Sequence, residues 1–200
     1  EDGDTKGYAF ELLRERAVCI RTQGLFDEAA NLISELIESS ADELSGDLHA
    51  LLGLCRAKFR TVSEVTCLIE ADQVPASAGR LREQIDHFQH ALNSGQSLAV
   101  AIGGHCLGVL AFLENDPRTA TDLLSKSQSA ALLGRQSSSN RRFIDQIQIA
   151  LALSTILAEE QSRFSQAVET LGDVEHKGQV IPEWAASKLI DIALFVSDQN

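Results

Sequence analysis

The stretch that decides the fold runs from Leu98 to Leu113 and reads LAVAIGGHCLGVLAFL. His105 is the residue that interrupts its apolar character. A helix needs roughly 20 apolar residues to cross a bilayer, and this stretch has only 16. We therefore expect a helix that is buried inside the protein.

The composition of the chain favours helices throughout. Its 200 residues include only 3 prolines, and 44% of them are apolar against 23% charged. Scarce proline leaves long segments unbroken, and this balance of apolar and charged residues is typical of a globular protein. The sequence therefore predicts an all-α fold.

The net charge of the chain is −12. A field of that sign repels the phosphates of nucleic acids and the surfaces of anionic membranes. We therefore expect no nucleic acid and no membrane among the partners, and basic or neutral proteins or peptides instead.

A polar break, Glu114-Asn115-Asp116, follows the apolar stretch, and a second helix is predicted to begin at Pro117. Asp116 supplies the acceptor of an N-cap, and Pro117 lacks an N–H that would have no partner in the first turn. Ala120 lies early in this second helix. The two segments together indicate a helix hairpin.

The same pattern of an apolar helix, a polar break and an early alanine occurs twice more. One copy breaks at Gly24 and continues into Ala29, and the other breaks at residues 161–163 and continues into Ala167. Small residues at such points let two helices approach closely. We expect Ala29, Ala120 and Ala167 to be buried where the two helices of each hairpin cross.

The segments Gly24-Leu25-Phe26-Asp27-Glu28-Ala29 and Leu107-Gly108 resemble the tetratricopeptide-repeat (TPR) family. The resemblance implies a right-handed superhelical stack of antiparallel helix hairpins, a TPR-like α-solenoid, in a single domain over residues 1–200. Two features depart from the family. The spacing from Ala120 to Ala167 is 47 residues rather than roughly 34, and no proline closes the second helices.

The pattern decays between the first two copies. Residues 42–60 are predicted to form one helix, and Thr61 and Glu64 to form the capping box of a short helix that ends at Ala71. A further helix is predicted from about Ala78 to Asn93.

Serine and asparagine dominate residues 134–140, which predicts a loop, because these side chains compete with a helix for backbone hydrogen bonds. Arg135, Arg141 and Arg142 lie in and beside it. Guanidinium groups bind carboxylates and phosphates bidentately, so these arginines are the candidates for contact with an anion. The alternative interpretation is that they only solubilise the loop.

The sequence lacks the phosphate-binding GxxxxGK loop, the HExxH zinc helix, the GxSxG elbow and any CxxC pair. The strongest candidate for a metal site is Glu83 with His87 and His90, because their spacing places them on one face of the predicted helix. That face lies opposite the apolar one, so we interpret it as a solvated polar face. We therefore predict that the chain is not an enzyme and holds no metal or cofactor.

The remaining histidines belong to no such arrangement. His49 and His176 have no candidate partners near them in the sequence. His105 is adjacent to Cys106, and we interpret it as a packed helix residue rather than as half of a catalytic pair, because nothing nearby in the sequence orients it.

The four cysteines lie within apolar helical stretches. This placement predicts buried, reduced thiols in an intracellular protein, cytoplasmic or nuclear, with a disulfide pair as the alternative. The four are Cys19, Cys55, Cys67 and Cys106.

Stacked hairpins expose a concave face that commonly holds extended peptides or helices. We expect a protein-interaction scaffold that holds a peptide or helix of a partner within a larger assembly. The alternatives are a regulatory sensor domain, which predicts a deep enclosed pocket, and an enzyme with an unrecognised helical site. By the resemblance to TPR proteins, the partner-binding positions would be Arg14, Val18, Arg21, His105, Val109, Phe112, Ile156 and Glu159.

The chain contains no methionine, from which we expect it to be a segment of a larger protein. Residues 182–197 are predicted to form a helix that is apolar around most of its circumference. Terminal repeats of a solenoid usually present a polar outer face. We therefore expect this helix to precede a further repeat, or to dock on another chain through self-association or partner binding.

Overall fold

The computed structural model describes residues 2–39, 45–69, 76–133, 138–158, 167–169 and 172. These residues are largely helical, and none of them belongs to a β-strand. The all-α prediction is therefore confirmed. In chain order the helices are α1 (Asp2–Thr22), α2 (Phe26–Ser39), α3 (Ser45–Arg56), α4 (Ser63–Thr66), α5 (Ala76–Arg82), α6 (Ile85–Asn93), α7 (Ser97–Leu113), α8 (Pro117–Leu133) and α9 (Ser138–Leu157).

The long helices pack against their neighbours in the sequence. α1 packs on α2, α2 on α3, α6 on α7, α7 on α8 and α8 on α9. α3 packs directly on α6, although the short helices α4 and α5 lie between them in the sequence. α7 contacts α3, α4, α5, α6, α8 and α9. The helix formed by the apolar stretch is therefore the centre of the described fold.

Two predicted helix breaks are confirmed. Gly24 separates α1 from α2 and has a φ of +86°, which glycine adopts without strain. At the start of α8, Oδ1 of Asp116 accepts a hydrogen bond from the N–H of Thr119 at 3.2 Å, and Pro117 is the first helical residue. Hydrogen bonding from Thr119 also lowers the pKa of the Asp116 carboxyl, so the cap is ionised.

The helix predicted over residues 42–60 ends earlier than expected. α3 stops at Arg56 because Lys58 takes a left-handed conformation with a φ of 62°. The N–H of Phe59 then bonds the carbonyl oxygen of Leu54 at 2.9 Å and closes the helix end. The beginning of the predicted segment lies outside the described residues.

The capping box predicted at Thr61 does not form as expected. The carboxylate of Glu64 reaches back, but it accepts the N–H of Arg60 at 2.7 Å, one residue before the predicted cap. The helix that follows is only Ser63–Thr66, and its N-cap residue makes no side-chain capping bond. The predicted end at Ala71 lies outside the described residues.

The helix predicted over residues 78–93 is interrupted between α5 and α6. Gln84 has a φ of −108° and a ψ of 14°, which lie outside the helical region. Glu83 therefore lies in a turn and does not continue the helix face of His87 and His90. The prediction that these three residues share one helix face is wrong.

The loop predicted over residues 134–140 is wrong for its last three positions, because α9 already begins at Ser138. Serine and asparagine are favoured at helix starts, where their side chains bond free N–H groups of the first turn. Residues 134–137 lie outside the described part of the chain.

Glycines bring α7 unusually close to the helices on both sides. A Cβ at Gly103 would lie 2.6 Å from the carbonyl oxygen of Phe88 in α6, a distance that real Cβ atoms do not adopt. A Cβ at Gly104 would lie 3.1 Å from the carbonyl oxygen of Leu123 in α8. Backbone therefore lies directly on backbone at both contacts, with no side chain between the helices.

The alanines at the predicted crossings are buried. Ala29 and Ala120 are fully buried, and Ala167 retains 4% of its exposure. The carbonyl oxygen of Ala120 lies 3.4 Å from the Cβ position of Gly108, so Ala120 lies at the contact of α7 with α8. The burial predicted for all three alanines is confirmed, and the crossing is confirmed for Ala120.

The prediction that the Leu98–Leu113 stretch forms a buried helix is also confirmed, since most of α7 is buried. Across the described residues, no helix combines the length and the apolar character that are needed to cross a membrane.

The cysteines divide into two pairs. Cys55 and Cys106 are buried, as predicted, whereas Cys19 and Cys67 are exposed, so the prediction of burial is wrong for these two. Burial raises the pKa of the Cys55 thiol to about 11 and raises the pKa of Cys106 as well. Both buried sulfurs are therefore protonated thiols at neutral pH.

The close approach of α7 to α6 generates a matched pair of substitutions. We expect Gly103→Ala to lower the free energy of unfolding by about 1–3 kcal/mol, because the methyl group overlaps the backbone of α6. Gly79→Ala in α5 is the control, since a Cβ there meets nothing within 4 Å. This change should be stabilising by about 0.5–1 kcal/mol. Urea unfolding followed by circular dichroism measures both, and equal values for the two variants would contradict the packing.

The cysteine burial predicts two classes of thiol reactivity. In the folded chain, Cys19 and Cys67 should react with iodoacetamide at neutral pH, while Cys55 and Cys106 should react only after urea is added. Mass spectrometry of tryptic peptides assigns each site. Rapid alkylation of Cys106 in the folded chain would show that α7 is not buried.

Candidate functional site

The pairing of α3 with α6 brings together residues that are distant in the sequence. Ser45 at the start of α3 contacts His90 near the end of α6, and Arg56 at the end of α3 contacts His87 near the start of α6. The two helices therefore run antiparallel. At Gly53 in the middle of α3, a Cβ would lie 2.8 Å from the ring of Phe88, so glycine makes room for this buried phenylalanine.

Three histidines meet at the edge of this contact, and we call them the histidine cluster: His49, His87 and His90. Nδ1 of His49 lies 2.9 Å from Nδ1 of His87. The ring centres of His49 and His90 are 4.0 Å apart, and Nε2 of His90 lies 3.0 Å from Oγ of Ser45. Nη1 of Arg56 lies 3.1 Å from Nε2 of His87.

His49 is thus the central member of the cluster, and the prediction that it has no constellation is wrong. Its partners are His87 and His90, which lie 38 and 41 positions later in the chain. No local spacing could indicate this arrangement, because it depends on which helices pair. Glu83 is an exposed turn residue, and His176 lies outside the described residues.

The surroundings of His49 and His87 favour neutral imidazoles at these two positions. Burial lowers the pKa of His49 to about 4, and the positive charges of His90, His87 and Arg56 act in the same direction. Burial and the charge of Arg56 lower the pKa of His87, which the neighbouring carboxylate of Asp86 only partly opposes. His49 and His87 are therefore neutral at physiological pH.

Within the described residues, no group of three histidine, cysteine, aspartate or glutamate side chains has an arrangement that could hold a metal ion. In the histidine cluster, one nitrogen of His87 is already bonded to Arg56, which places a permanent positive charge beside the rings. That charge would repel a metal cation. The geometry suits the exchange of protons better than the binding of a metal.

A shallow groove lies where the end of α6 and the start of α7 meet the second half of α8. It has a volume of about 550 Å³ and opens to the surface. Its apolar surface comes from Leu92, Val100, Ala130 and Leu133, and its polar lining from Asn93, Gly95, Ser97, Ser125, Lys126 and Ser129.

One exposed leucine lines this groove, and two others are next to lining residues in the sequence. Leu133, which lines it, is 80% exposed. Leu132 precedes Leu133 and is 57% exposed, and Leu98 follows the lining residue Ser97 and is 49% exposed. We refer to the groove together with these leucines as the α6–α8 groove.

Half of the positions predicted to contact a partner lie in the interior. Four of them are buried, which leaves them almost no surface to offer a partner in this arrangement: Arg21, His105, Val109 and Ile156. Three retain some exposure: Arg14, Val18 and Phe112. The eighth position, Glu159, lies outside the described residues. The same is true of Arg135, one of the three anion candidates, and of the whole segment 182–197. Arg141 and Arg142 belong to α9, but their side chains lie outside the described part.

The buried positions join helices to each other. Nε2 of His105 lies 3.0 Å from Oγ1 of Thr66, and its ring meets the ring of Phe143 edge to face, so it links α7 to α4 and α9. Full burial lowers the pKa of His105 to about 3, so it is neutral. The prediction that His105 is a packed helix residue is confirmed.

The two arginines of α1 differ in their surroundings. Arg14 lies 3.3 Å from Glu11 of α1 and 3.8 Å from Asp47 of α3, so it connects the two helices. Arg21 is 7% exposed, and its Nε and Nη1 atoms have no hydrogen-bond partner among the described residues. Burial lowers the pKa of Arg21, although nearby Cys55 opposes this shift.

Comparison with known proteins adds no assignment. A scan against protein-family models, a search of curated proteins and a search of solved structures each return no match.

Proposed function

We propose that the chain is a protein-interaction scaffold that holds a peptide or helix of a partner protein within a larger assembly. The observation that carries the proposal is the α6–α8 groove, an open and partly apolar depression that is lined by the exposed Leu133, with the exposed Leu98 and Leu132 next to lining residues in the sequence. Isolated apolar side chains are common on protein surfaces, but a concave group of them is typical of interaction sites.

The leucines supply the driving force. Burying one exposed leucine side chain contributes about 1.5–3 kcal/mol. Leu98, Leu132 and Leu133 retain between 49% and 80% of their exposure, so each has surface left to bury. Ser125 and Ser129, on α8, lie beside this apolar surface and provide groups that can bond a partner's backbone or side chains.

The open shape favours a macromolecular partner. Small-molecule sites usually enclose most of the surface of their ligand, whereas this groove is shallow. A partner helix could place an apolar side chain against Leu92, Val100 and Leu133, with further apolar residues three or four positions away covering Leu98 or Leu132. Because the chain carries a charge of −12, partner helices with basic or neutral flanks are favoured over acidic ones.

The order of the helix contacts supports a stacked arrangement of hairpins for this scaffold. α1 contacts α3, α3 contacts α7 and α7 contacts α9, as the first helices of successive hairpins do in a solenoid. The TPR-like superhelix predicted from the sequence is part of this proposal. Arg14, Val18 and Phe112 remain its candidates for partner contact on the first helices.

A peptide-display selection tests the proposal. Helical peptides from a random library are selected on the immobilised chain and then compared on two variants. Leu133→Glu places a charge in the groove, and Leu25→Glu is the control at a leucine of the α1–α2 turn that is 50% exposed. We expect enriched peptides with apolar residues three and four positions apart that bind wild type and Leu25→Glu equally.

Leu133→Glu should weaken these peptides at least tenfold, which corresponds to the loss of about 1.4 kcal/mol. Thermal melts confirm that both variants are folded. Peptides that bind Leu133→Glu as tightly as wild type would refute the groove as the binding site, and a selection that enriches no peptide would count against the scaffold function.

A further inference from the structure

The histidine cluster has a defined direction of hydrogen bonding. Arginine can only donate hydrogen bonds, so Nε2 of His87 accepts from Arg56. A neutral imidazole carries one N–H, so His87 bears its proton on Nδ1 and donates to Nδ1 of His49. His49 must therefore carry its own proton on Nε2. We call these two hydrogen bonds, from Arg56 to His87 and from His87 to His49, the relay. It connects the end of α3 to α6 and then returns to the middle of α3.

Each added proton removes one bond of the relay. A proton on Nδ1 of His49 would place two N–H groups face to face across 2.9 Å. A proton on Nε2 of His87 would face the guanidinium of Arg56 across 3.1 Å. The relay thus holds together only while His49 and His87 are neutral.

The charges on α3 and α6 do little to offset these protons. Asp86 of α6 is exposed. Its carboxylate raises the pKa of His87, but the charges of Arg56 and His90 lower it. Asp47, on α3, is paired with Arg14 of α1. Protonated imidazoles in the cluster would therefore lack a strong counter-charge.

The carboxylates on the other helices packed against α3 and α6 are exposed or paired. On α1, Glu11 and Glu15 are exposed and lie 3.3 Å and 3.1 Å from Arg14. The acidic residues of α2 are all exposed: Asp27, Glu28, Glu35 and Glu38. α5 contributes Arg80, bonded to the carbonyl oxygen of Ala57, and Arg82, bonded to Glu114. α7 contributes His105 and Cys106, which are both buried and neutral.

We propose that the histidine cluster makes the contact between α3 and α6 sensitive to protons: the contact is closed while the imidazoles of His49 and His87 are neutral, and mild acid opens it. Opening would separate Phe88 from the space that Gly53 provides and would expose this ring. The inference concerns the α3–α6 contact alone and does not depend on the function of the α6–α8 groove.

The pH range follows from the sign of the pKa shifts. The pKa of His49 falls from its ordinary value of 6.5 to about 4 in the folded chain, and the pKa of His87 is also lowered. The opened form therefore binds protons more readily than the closed form. The closed contact keeps its full stability above about pH 6.5 and loses it as the pH falls toward 4.

Long-range ¹H–¹⁵N correlation spectra of the wild-type chain test the relay directly. We expect His87 in the Nδ1–H form and His49 in the Nε2–H form at neutral pH, with both titrating below pH 6.5. Free histidine prefers the Nε2–H form, so the assignment for His87 is discriminating. An Nε2–H form of His87, or titration of both residues at 6.5 or above, would overturn the inference.

Hydrogen exchange tests the opening. After correction for intrinsic rates, the protection of the α6 amides should fall about tenfold or more for each pH unit between 6.5 and about 4. It should also fall more than the protection of the α8 amides. The comparison with α8 is needed because buried His105 destabilises the whole fold in acid. The double variant His49→Gln, His87→Gln, which has no titratable side chain at either position, should lose this difference. Equal acid loss in α6 and α8 of the wild type would overturn the proposal.

Zinc chloride at neutral pH separates this account from metal binding. We expect no change in the melting temperature or in the His49 and His87 signals. A melting temperature that rises with zinc in the wild type but not in the double variant would show that the cluster is a metal site instead.

Discussion

The fold depends on the direct contact of α7 with the backbones of α6 and α8. Gly103 lies against α6, and Gly104 and Gly108 lie against α8. Dispersion forces fall steeply with distance, so helices that approach this closely gain contacts that a larger side chain would remove. The same glycines weaken the helix locally. Burial of the apolar residues around them offsets that cost, because α7 is packed against other helices along most of its length.

Both functional proposals follow from the position of α6. The close contact of α6 with α7 at Gly103 fixes the position of α6 relative to α7, and α6 also packs against α3. The end of α6 supplies Leu92 to the α6–α8 groove. His87, near the start of α6, and His90, near its end, belong to the histidine cluster. One helix therefore takes part both in the groove that we propose to hold a partner and in the polar contact that we propose to respond to protons.

The sequence predicts the parts of this structure that depend on neighbouring residues. The break at Gly24, the cap at Asp116 and the burial of Ala120 were all expected, because turns, caps and helix faces follow from short-range spacing. The predicted helix over residues 78–93 was wrong in its middle, because helix periodicity continues through a turn that only the backbone of Gln84 reveals.

The candidate sites were mostly beyond the reach of the sequence. Whether His49 meets His87 depends on the pairing of α3 with α6, which no local pattern specifies. The predicted concave face placed His105 and Ile156 at a surface, but both lie in the core. A spacing rule identifies which residues share a face of a helix, and only the packing decides whether that face is covered.

The central claim is that α7 lies backbone to backbone between α6 and α8. Nuclear Overhauser effects between individual protons measure this most directly. The account predicts cross-peaks from the Hα protons of Gly103 to the methyl group of Ala91, and from the Hα protons of Gly104 to the Hβ protons of Ser127, which the structure places in contact. Absence of both cross-peaks, in spectra where α7 still shows its own helical cross-peaks, would contradict the account.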